Sequence, residues 1–108
     1  MTLYVVSVPI GNMDDITKRA IDTFKRVDFL VCEELKVARK LLNHLNIEKE
    51  LISLNEHNES ITTEEIISRL SQKESAALFS DAGTPLFADP GTQLVKRCHD
   101  LSIDVVPV

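Results

Sequence analysis

Short apolar runs alternate with amphipathic helical patterns along the whole chain of 108 residues. The apolar runs are rich in aliphatic and β-branched residues and show little polar alternation, which predicts strands covered on both faces of a sheet. They occupy residues 3–8, 29–32, 51–54, 76–79 and 103–106. This alternation predicts an α/β fold, a doubly wound, mostly parallel sheet of five strands with helices on both faces.

The four segments between these strands repeat apolar residues at helical spacing. Their predicted core faces are Ile16, Ala20, Phe24 and Val27; Val37, Leu41 and Leu45; Ile66, Ile67 and Leu70; and Leu94, Val95, Cys98 and Leu101. Asn12 or Asp14 is expected to cap the first helix. Thr62 and Glu65 have the spacing of a capping box, which predicts that the third helix begins near Thr62.

The net charge limits which kinds of partner this segment can bind. The chain has 12 basic and 17 acidic residues, which give a net charge of −5. No basic surface is in excess, so the segment by itself is a poor candidate for gripping a phosphate backbone. Four basic residues of the first helix are expected to form a solvated face: Lys18, Arg19, Lys25 and Arg26.

Cysteine usage and the chain start point to a cell compartment. Cys32 and Cys98 are far apart and lack CxxC spacing, which favours free thiols in a reducing compartment over a disulfide or a metal site. The start of the sequence has no basic segment followed by a long apolar stretch, and no run approaches roughly 18 apolar residues. We therefore expect a cytoplasmic location, no membrane span and no metal ion.

The strand at 76–79 leads into a loop rich in Gly, Asp and Pro, at the kind of position where open α/β sheets bind ligands. Gly83 lacks a Cβ, so its backbone can adopt a positive φ or approach a ligand, and Pro85 stiffens the loop. Asp81 can accept hydrogen bonds from a ligand amine or hydroxyl, or from backbone N–H groups in an ordinary turn. A second turn sequence, Asp89-Pro90-Gly91, favours the ligand-binding interpretation.

A polar cluster, Asn55-Glu56-His57-Asn58-Glu59, follows the third predicted strand. His57 can position a substrate or shuttle a proton there, and the simpler alternative is a hydrated loop histidine. Other familiar chemistries lack their motifs, because the chain has no GxGxxG, no GxxxxGK[ST] and no serine nucleophile elbow. A receiver-type signalling domain is also disfavoured, because it needs a lysine where this chain has Val106-Pro107.

Six motifs occur in a fixed order across the chain. They are Val8-Pro9-Ile10-Gly11-Asn12, Asp14-Asp15-Ile16-Thr17, Glu33 with Arg39-Lys40-Leu41-Leu42, Glu56-His57-Asn58, residues 80–85, and Asp89-Pro90-Gly91. Together they resemble the tetrapyrrole (corrin/porphyrin) methylase superfamily, and most closely its branch that methylates the ribose 2′-oxygen of a cytidine in 16S ribosomal RNA. The resemblance implies an S-adenosylmethionine-dependent methyltransferase of two domains, with residues 1–108 as the N-terminal domain and the second domain absent from this chain.

The resemblance also implies a homodimer, contact with rRNA of the 30S subunit through the complete protein, and a cofactor cleft between the domains. Two loops would line that cleft with Pro9, Ile10, Gly11, Asn12, Asp81, Ala82, Gly83, Thr84 and Pro85. Glu56, His57 and Asn58 would face the substrate. Because methyl transfer to a hydroxyl is an in-line displacement that benefits from a base, Glu33 and Asp81 are the catalytic candidates, and either can instead hold a ligand.

The chain departs from that branch after the second strand. Residues 32–36 read Cys-Glu-Glu-Leu-Lys where the rRNA enzymes typically read Ala-Glu-Asp-Thr-Arg, so a hydroxyl and a bidentate guanidinium are lost. Two alternatives follow: a paralogue that methylates a tetrapyrrole or another small molecule, and an inert half-enzyme or dimerisation module. With one wall of the cleft, the 108-residue chain alone is expected to fold but to transfer no methyl group.

Overall fold

In the part of the chain that the computed structural model describes, five strands and four helices alternate as the sequence predicts. The structure describes residues 1–9, 13–81 and 91–108, without the side chain of Asp81. The elements are β1 (Thr2–Val8), a 3-10 turn (Met13–Asp15), α1 (Lys18–Arg26), β2 (Phe29–Cys32), α2 (Leu35–His44), β3 (Leu51–Ser53), α3 (Glu59–Ser71), β4 (Ala76–Asp81), α4 (Gly91–Asp100) and β5 (Asp104–Pro107).

The strands form one sheet in the order β3-β2-β4-β1-β5. Every pairing is parallel, which confirms the predicted parallel sheet. β4 is central and pairs with β1 from Leu3 opposite Ala76 to Val8 opposite Asp81. Because the chain returns to the middle of the sheet after β3, β4 separates β1 from β2, although those two strands are consecutive in sequence.

Successive residues of the strands contribute to two separate cores, one on each face of the sheet. On one face α3 and α4 bury Ile66, Leu70, Leu94 and Cys98 against strand residues that include Leu3, Phe29 and Leu78. On the opposite face α1 and α2 bury Phe24, Leu41 and Leu42 against Val6, Leu30 and Ala77. Each fully buried leucine or phenylalanine stabilises the fold by roughly 1.5–3 kcal/mol. The prediction of helices on both faces is confirmed.

The predicted cap of α1 is wrong. Thr17 is the N-cap, and its Oγ1 accepts a hydrogen bond from the N–H of Ala20 at 3.1 Å. Asp14 lies in the separate 3-10 turn before it, and Asn12 lies outside the described residues. The helix therefore begins later than the sequence predicts, because the 3-10 turn takes up the residues that precede Thr17.

The predicted capping box of α3 is also wrong. The helix begins at Glu59, with Asn58 as its N-cap. Thr62 is 8% and Thr63 1% exposed, so both threonines lie inside the helix and face the core. The capping-box spacing of Thr62 and Glu65 therefore has no role at a helix start.

Two predicted core residues are exposed. Val37 is 63% exposed, because α2 buries Ala38, Leu41 and Leu42, a face that is one residue out of phase with it. Leu101 is 45% exposed and follows the last residue of α4. The other predicted faces pack as expected, with Leu45 half-buried against the core of α1 and α2.

Arg69 ties α3 to the amino ends of three strands. Its guanidinium forms bidentate hydrogen bonds at 2.8–3.0 Å with Glu74, which precedes β4, and with Glu50, which precedes β3. It also lies 3.9 Å from the ring centroid of Phe29, the first residue of β2. The hydrogen bonds that Arg69 donates to Glu74 and Glu50 raise the pKa of the guanidinium, and the bonds to Glu74 lower the pKa of that carboxyl group.

Candidate functional site

The carboxyl ends of β1 and β4 lie side by side near the middle of the sheet. Val8 and Asp81, the last residues of the two strands, are paired directly. The chain leaves β1 toward α1 on one face and leaves β4 toward α4 on the other. A crevice opens where neighbouring parallel strands send their connections to opposite faces, and open α/β sheets bind ligands at such a topological switch point.

The two loops predicted to line a cofactor cleft begin at this switch point. Pro9 is half-buried directly after β1, and the backbone of Asp81 ends β4. Ser80, the residue before Asp81, is 7% exposed and pairs with Ser7 of β1. The remaining predicted cofactor residues lie outside the described residues: Ile10, Gly11, Asn12, Ala82, Gly83, Thr84 and Pro85.

Glu33 lies at the same edge of the sheet, directly after β2. It is exposed, and its backbone carbonyl accepts a hydrogen bond from Ser53 Oγ at 3.2 Å. The ladder continues past the last residue of β3, because the N–H of Leu54 donates to the carbonyl of Cys32 at 2.7 Å. β2 is also the neighbour of β4 on the side away from β1. Glu33 follows β2 and Asp81 is the last residue of β4, so the two candidate residues lie at the carboxyl ends of adjacent strands.

The polar cluster after β3 folds into a turn that its own asparagines brace. Asn58 Oδ1 accepts from the N–H of Asn55 at 2.8 Å, and Asn58 Nδ2 donates to the carbonyl of Ser53 at 2.9 Å. Asn55 Oδ1 accepts in return from the N–H groups of His57 and Asn58, at 2.9 and 3.2 Å. The polar atoms of Asn58 are thus engaged within the turn.

Glu56 and His57 project from the tip of this turn into solvent. Their side chains are 83% and 87% exposed, and Nε2 of His57 lies 3.7 Å from Oε1 of Glu56. The geometry leaves both side chains accessible to a partner at the carboxyl edge. Sequence reasoning missed the bracing role of Asn55, although two asparagines three residues apart are typical of side-chain bonds that stabilise a turn.

Neither cysteine is available as a nucleophile. Cys32 and Cys98 are buried free thiols, and burial raises the pKa of each to about 11. A thiol with that pKa stays protonated at neutral pH. The prediction of free rather than disulfide-bonded cysteines is confirmed.

The described part of the chain contains no cluster of three or more His, Cys, Asp or Glu residues that could hold a metal ion. None of the helices in residues 1–9, 13–81 and 91–108 has the length and apolar character required to span a membrane. Among the described residues, the carboxyl edge therefore offers the carboxylates of Glu33 and Glu56, the amides of Asn55 and Asn58, and the imidazole of His57.

The fold and this edge place the chain in the class of doubly wound α/β domains with a switch-point crevice. Residues 2–108 match the family described as Tetrapyrrole (Corrin/Porphyrin) Methylases. The chain belongs to this family, which confirms the resemblance found in its motifs.

Three relatives carry the name ribosomal RNA small subunit methyltransferase I. The protein of Haemophilus influenzae is 44% identical over 106 residues, which cover 98% of this chain and 38% of the relative. The protein of Escherichia coli O157:H7 is 42% identical, with 98% and 37% covered. The protein of a Hydrogenobaculum species is 46% identical over 110 residues, with 99% and 48% covered. The chain thus spans between about two fifths and one half of these relatives.

Proposed function

We propose that the chain is the N-terminal domain of an S-adenosylmethionine-dependent methyltransferase that modifies a ribose 2′-hydroxyl of small-subunit ribosomal RNA. The observation that carries the proposal is the pairing of Val8 with Asp81, because it brings the starts of the two predicted cofactor loops together at a switch point. Membership of a methylase family and relatives named as rRNA methyltransferases support the same conclusion.

The residues at the crevice fit a cofactor that has an amino-acid part and a ribose. Carbonyl and N–H groups at the ends of two central strands can bind polar groups, and the Asp81 carboxylate can accept from an amine or a hydroxyl. Gly83 lacks a Cβ that would keep a ligand from the backbone. We assign S-adenosylmethionine to the loops at residues 9–12 and 81–85, and it supplies an activated methyl group when bound.

The protein's own contribution is to orient the acceptor and to remove its proton. An in-line displacement gains most from holding the nucleophile and the methyl carbon in one fixed geometry. Glu33 or Asp81 takes the hydroxyl proton as general base, because both end strands at the crevice. Glu56 and His57 contact the RNA from the exposed turn, and Asn58 holds that turn in place.

A second domain would complete the cleft, and the complete protein would work as a cytoplasmic homodimer. The proposal for the second domain rests on the share of the relatives that this chain covers, 38% of the Haemophilus influenzae protein. A ligand at the crevice of this chain alone is open to water on one side, so we expect weak cofactor binding and no methyl transfer without a second wall.

Isothermal titration of the two-domain protein with S-adenosylmethionine tests the cofactor site. Asp81→Asn removes a charge-assisted hydrogen bond worth roughly 1.5–3 kcal/mol, which weakens binding by about 10- to 150-fold. Asp104→Asn is the matched control, because it makes the same change at the amino end of β5, on the opposite edge of the sheet. An unchanged dissociation constant in Asp81→Asn would remove Asp81 from the cofactor site.

Methyl transfer to purified 30S subunits, with labelled cofactor, tests the acceptor. The departures at residues 32–36 favour a different acceptor, which is a tetrapyrrole or another small molecule. A tetrapyrrole is therefore the second substrate in the assay. Labelling of the tetrapyrrole and not of rRNA would replace the proposed substrate. If the two-domain protein bound no cofactor, the remaining alternative would be an inert half-enzyme or a dimerisation module.

A further inference from the structure

Charge is segregated between the two helical layers, although the chain as a whole is acidic. α1 and α2 lie on the same face of the sheet and contain seven basic residues and one acidic residue, a net charge of +6. All seven basic side chains are exposed: Lys18, Arg19, Lys25, Arg26, Lys36, Arg39 and Lys40. We call these seven residues the basic face.

The opposite layer has no such excess. α3 and α4 contain three basic and four acidic residues, a net charge of −1. Two of the three basic residues are neutralised, because Arg69 binds Glu50 and Glu74 and Arg97 binds Glu64 through two hydrogen bonds of 2.8 Å. The net charge of −5 therefore conceals one strongly basic surface.

Among the described residues, the side chains of the basic face have no ion-pair partner. None of the seven forms a salt bridge with any residue in the described ranges 1–9, 13–81 and 91–108. The guanidinium of Arg26 lies over the ring of Tyr4 at 5.6 Å. Arg69 and Arg97 pair with glutamates, whereas no described carboxylate pairs with the charges of α1 and α2, so these charges need a different explanation.

The spacing on α1 suits a regular row of anions. Lys18, Arg19, Lys25 and Arg26 line one surface depression together with Asp22. At a rise of 1.5 Å per residue, Lys18 and Lys25 are about 10 Å apart along the helix axis. Phosphates along one strand of a duplex are spaced by about 3.4 Å along the axis, so about three phosphate charges fall within that length.

We propose that the basic face docks the phosphate backbone of an RNA duplex, and this inference rests on the proposed function. A membrane surface fits less well, because the apolar side of α1 is buried in the core and Val37 of α2 is the one large apolar side chain that these two helices expose. An acidic protein fits less well, because the centres of protein interfaces are depleted of charged residues. Double-stranded RNA is bound largely through phosphates and 2′-hydroxyls.

The test measures fluorescence anisotropy of a labelled RNA duplex of about 20 base pairs with the two-domain protein, without cofactor, between about 0.05 and 0.2 M salt. The variant Lys25→Gln/Lys40→Gln removes two charges from the basic face. Each lost phosphate contact weakens binding by roughly fivefold at 0.15 M salt and lowers the salt slope by about one. The control Lys73→Asn/Lys96→Gln removes two charges outside α1 and α2 and should leave both quantities within about twofold.

The variant Asp22→Asn is a control that distinguishes a change in surface charge from a loss of folding as the cause of altered RNA binding. Asp22 is the carboxylate among the described residues that line the depression, so its neutralisation should tighten RNA binding by a few fold. Equal weakening by the two double variants, or no change in Lys25→Gln/Lys40→Gln, would overturn the inference, as would binding to phosphatidylserine vesicles or an acidic protein but not to RNA.

The methyl-transfer assay separates this inference from the proposed function. Transfer to 30S subunits together with unchanged duplex binding by Lys25→Gln/Lys40→Gln would support the function and overturn the basic face as its docking surface. Loss of duplex binding in that variant alone, in a protein that methylates no RNA, would support the docking surface and overturn the proposed function.

Discussion

Replacement of Asn58 by alanine should destabilise the fold, because its side chain braces the turn before α3. The change removes two hydrogen bonds, from the N–H of Asn55 at 2.8 Å and to the carbonyl of Ser53 at 2.9 Å. Each such bond contributes about 1 kcal/mol, so Asn58→Ala should lower the free energy of unfolding by about 2 kcal/mol. At about 4 °C per kcal/mol, the midpoint of thermal unfolding should fall by about 8 °C.

Urea unfolding of the 108-residue chain, followed by circular dichroism, measures this change. His57→Ala is the matched control, because that side chain is 87% exposed and its loss should change stability by less than about 0.5 kcal/mol. If Asn58 serves the substrate instead, Asn58→Ala will leave stability at the level of the control and weaken only RNA binding. That result would refute the bracing role and restore Asn58 as a contact residue.

Three further predictions concern the loop after β4, the core and one ion pair. Gly83→Val should weaken S-adenosylmethionine binding by the two-domain protein more than it lowers the melting temperature, and unfolding before any binding defect would make Gly83 structural. Leu94→Ala should cost roughly 2–5 kcal/mol in urea unfolding, because Leu94 is fully buried between α4 and the sheet. Arg69 lowers the pKa of Glu74 below its ordinary 4.5, so this pair stabilises the fold above that pH and loses its effect as the pH falls through the lowered value. Melting temperatures between about pH 6 and 3 should therefore fall less steeply in Glu74→Gln than in the unmodified chain, and equal slopes would contradict the coupling.

The sequence predicts the elements and the two-sided sheet well, because both follow from local patterns. Parallel strands that are covered on both faces must be apolar, and the sequences of β1, β2 and β4 contain few polar residues. The order of the strands in the sheet does not follow from local patterns. Nothing in the local pattern states that β4 inserts between β1 and β2, because that choice depends on how helices pack across the finished sheet.

The helix starts show where local patterns fail. Thr62 and Glu65 have capping-box spacing, but the turn at Asn55 and Asn58 begins α3 one turn earlier and leaves Thr62 facing the core. The phase of α2 fails for a similar reason, because Val37 and Ala38 compete for the core and the larger residue is left outside. The site residues at 10–12 and 82–85 remain predictions.

Chain direction links the proposed crevice to the proposed basic face. Helices that return between parallel strands begin at the carboxyl edge, so the first turns of α1 and α2 follow the candidate residues Pro9 and Glu33. RNA held on the basic face can therefore extend a nucleotide over this edge toward the ends of β2 and β4 without crossing the sheet. The opposite layer, with its net charge of −1, offers phosphates no comparable attraction. Under these two proposals, the direction in which RNA approaches the crevice is set by which two helices the topology assigns to one face, a property that a total charge of −5 cannot reveal.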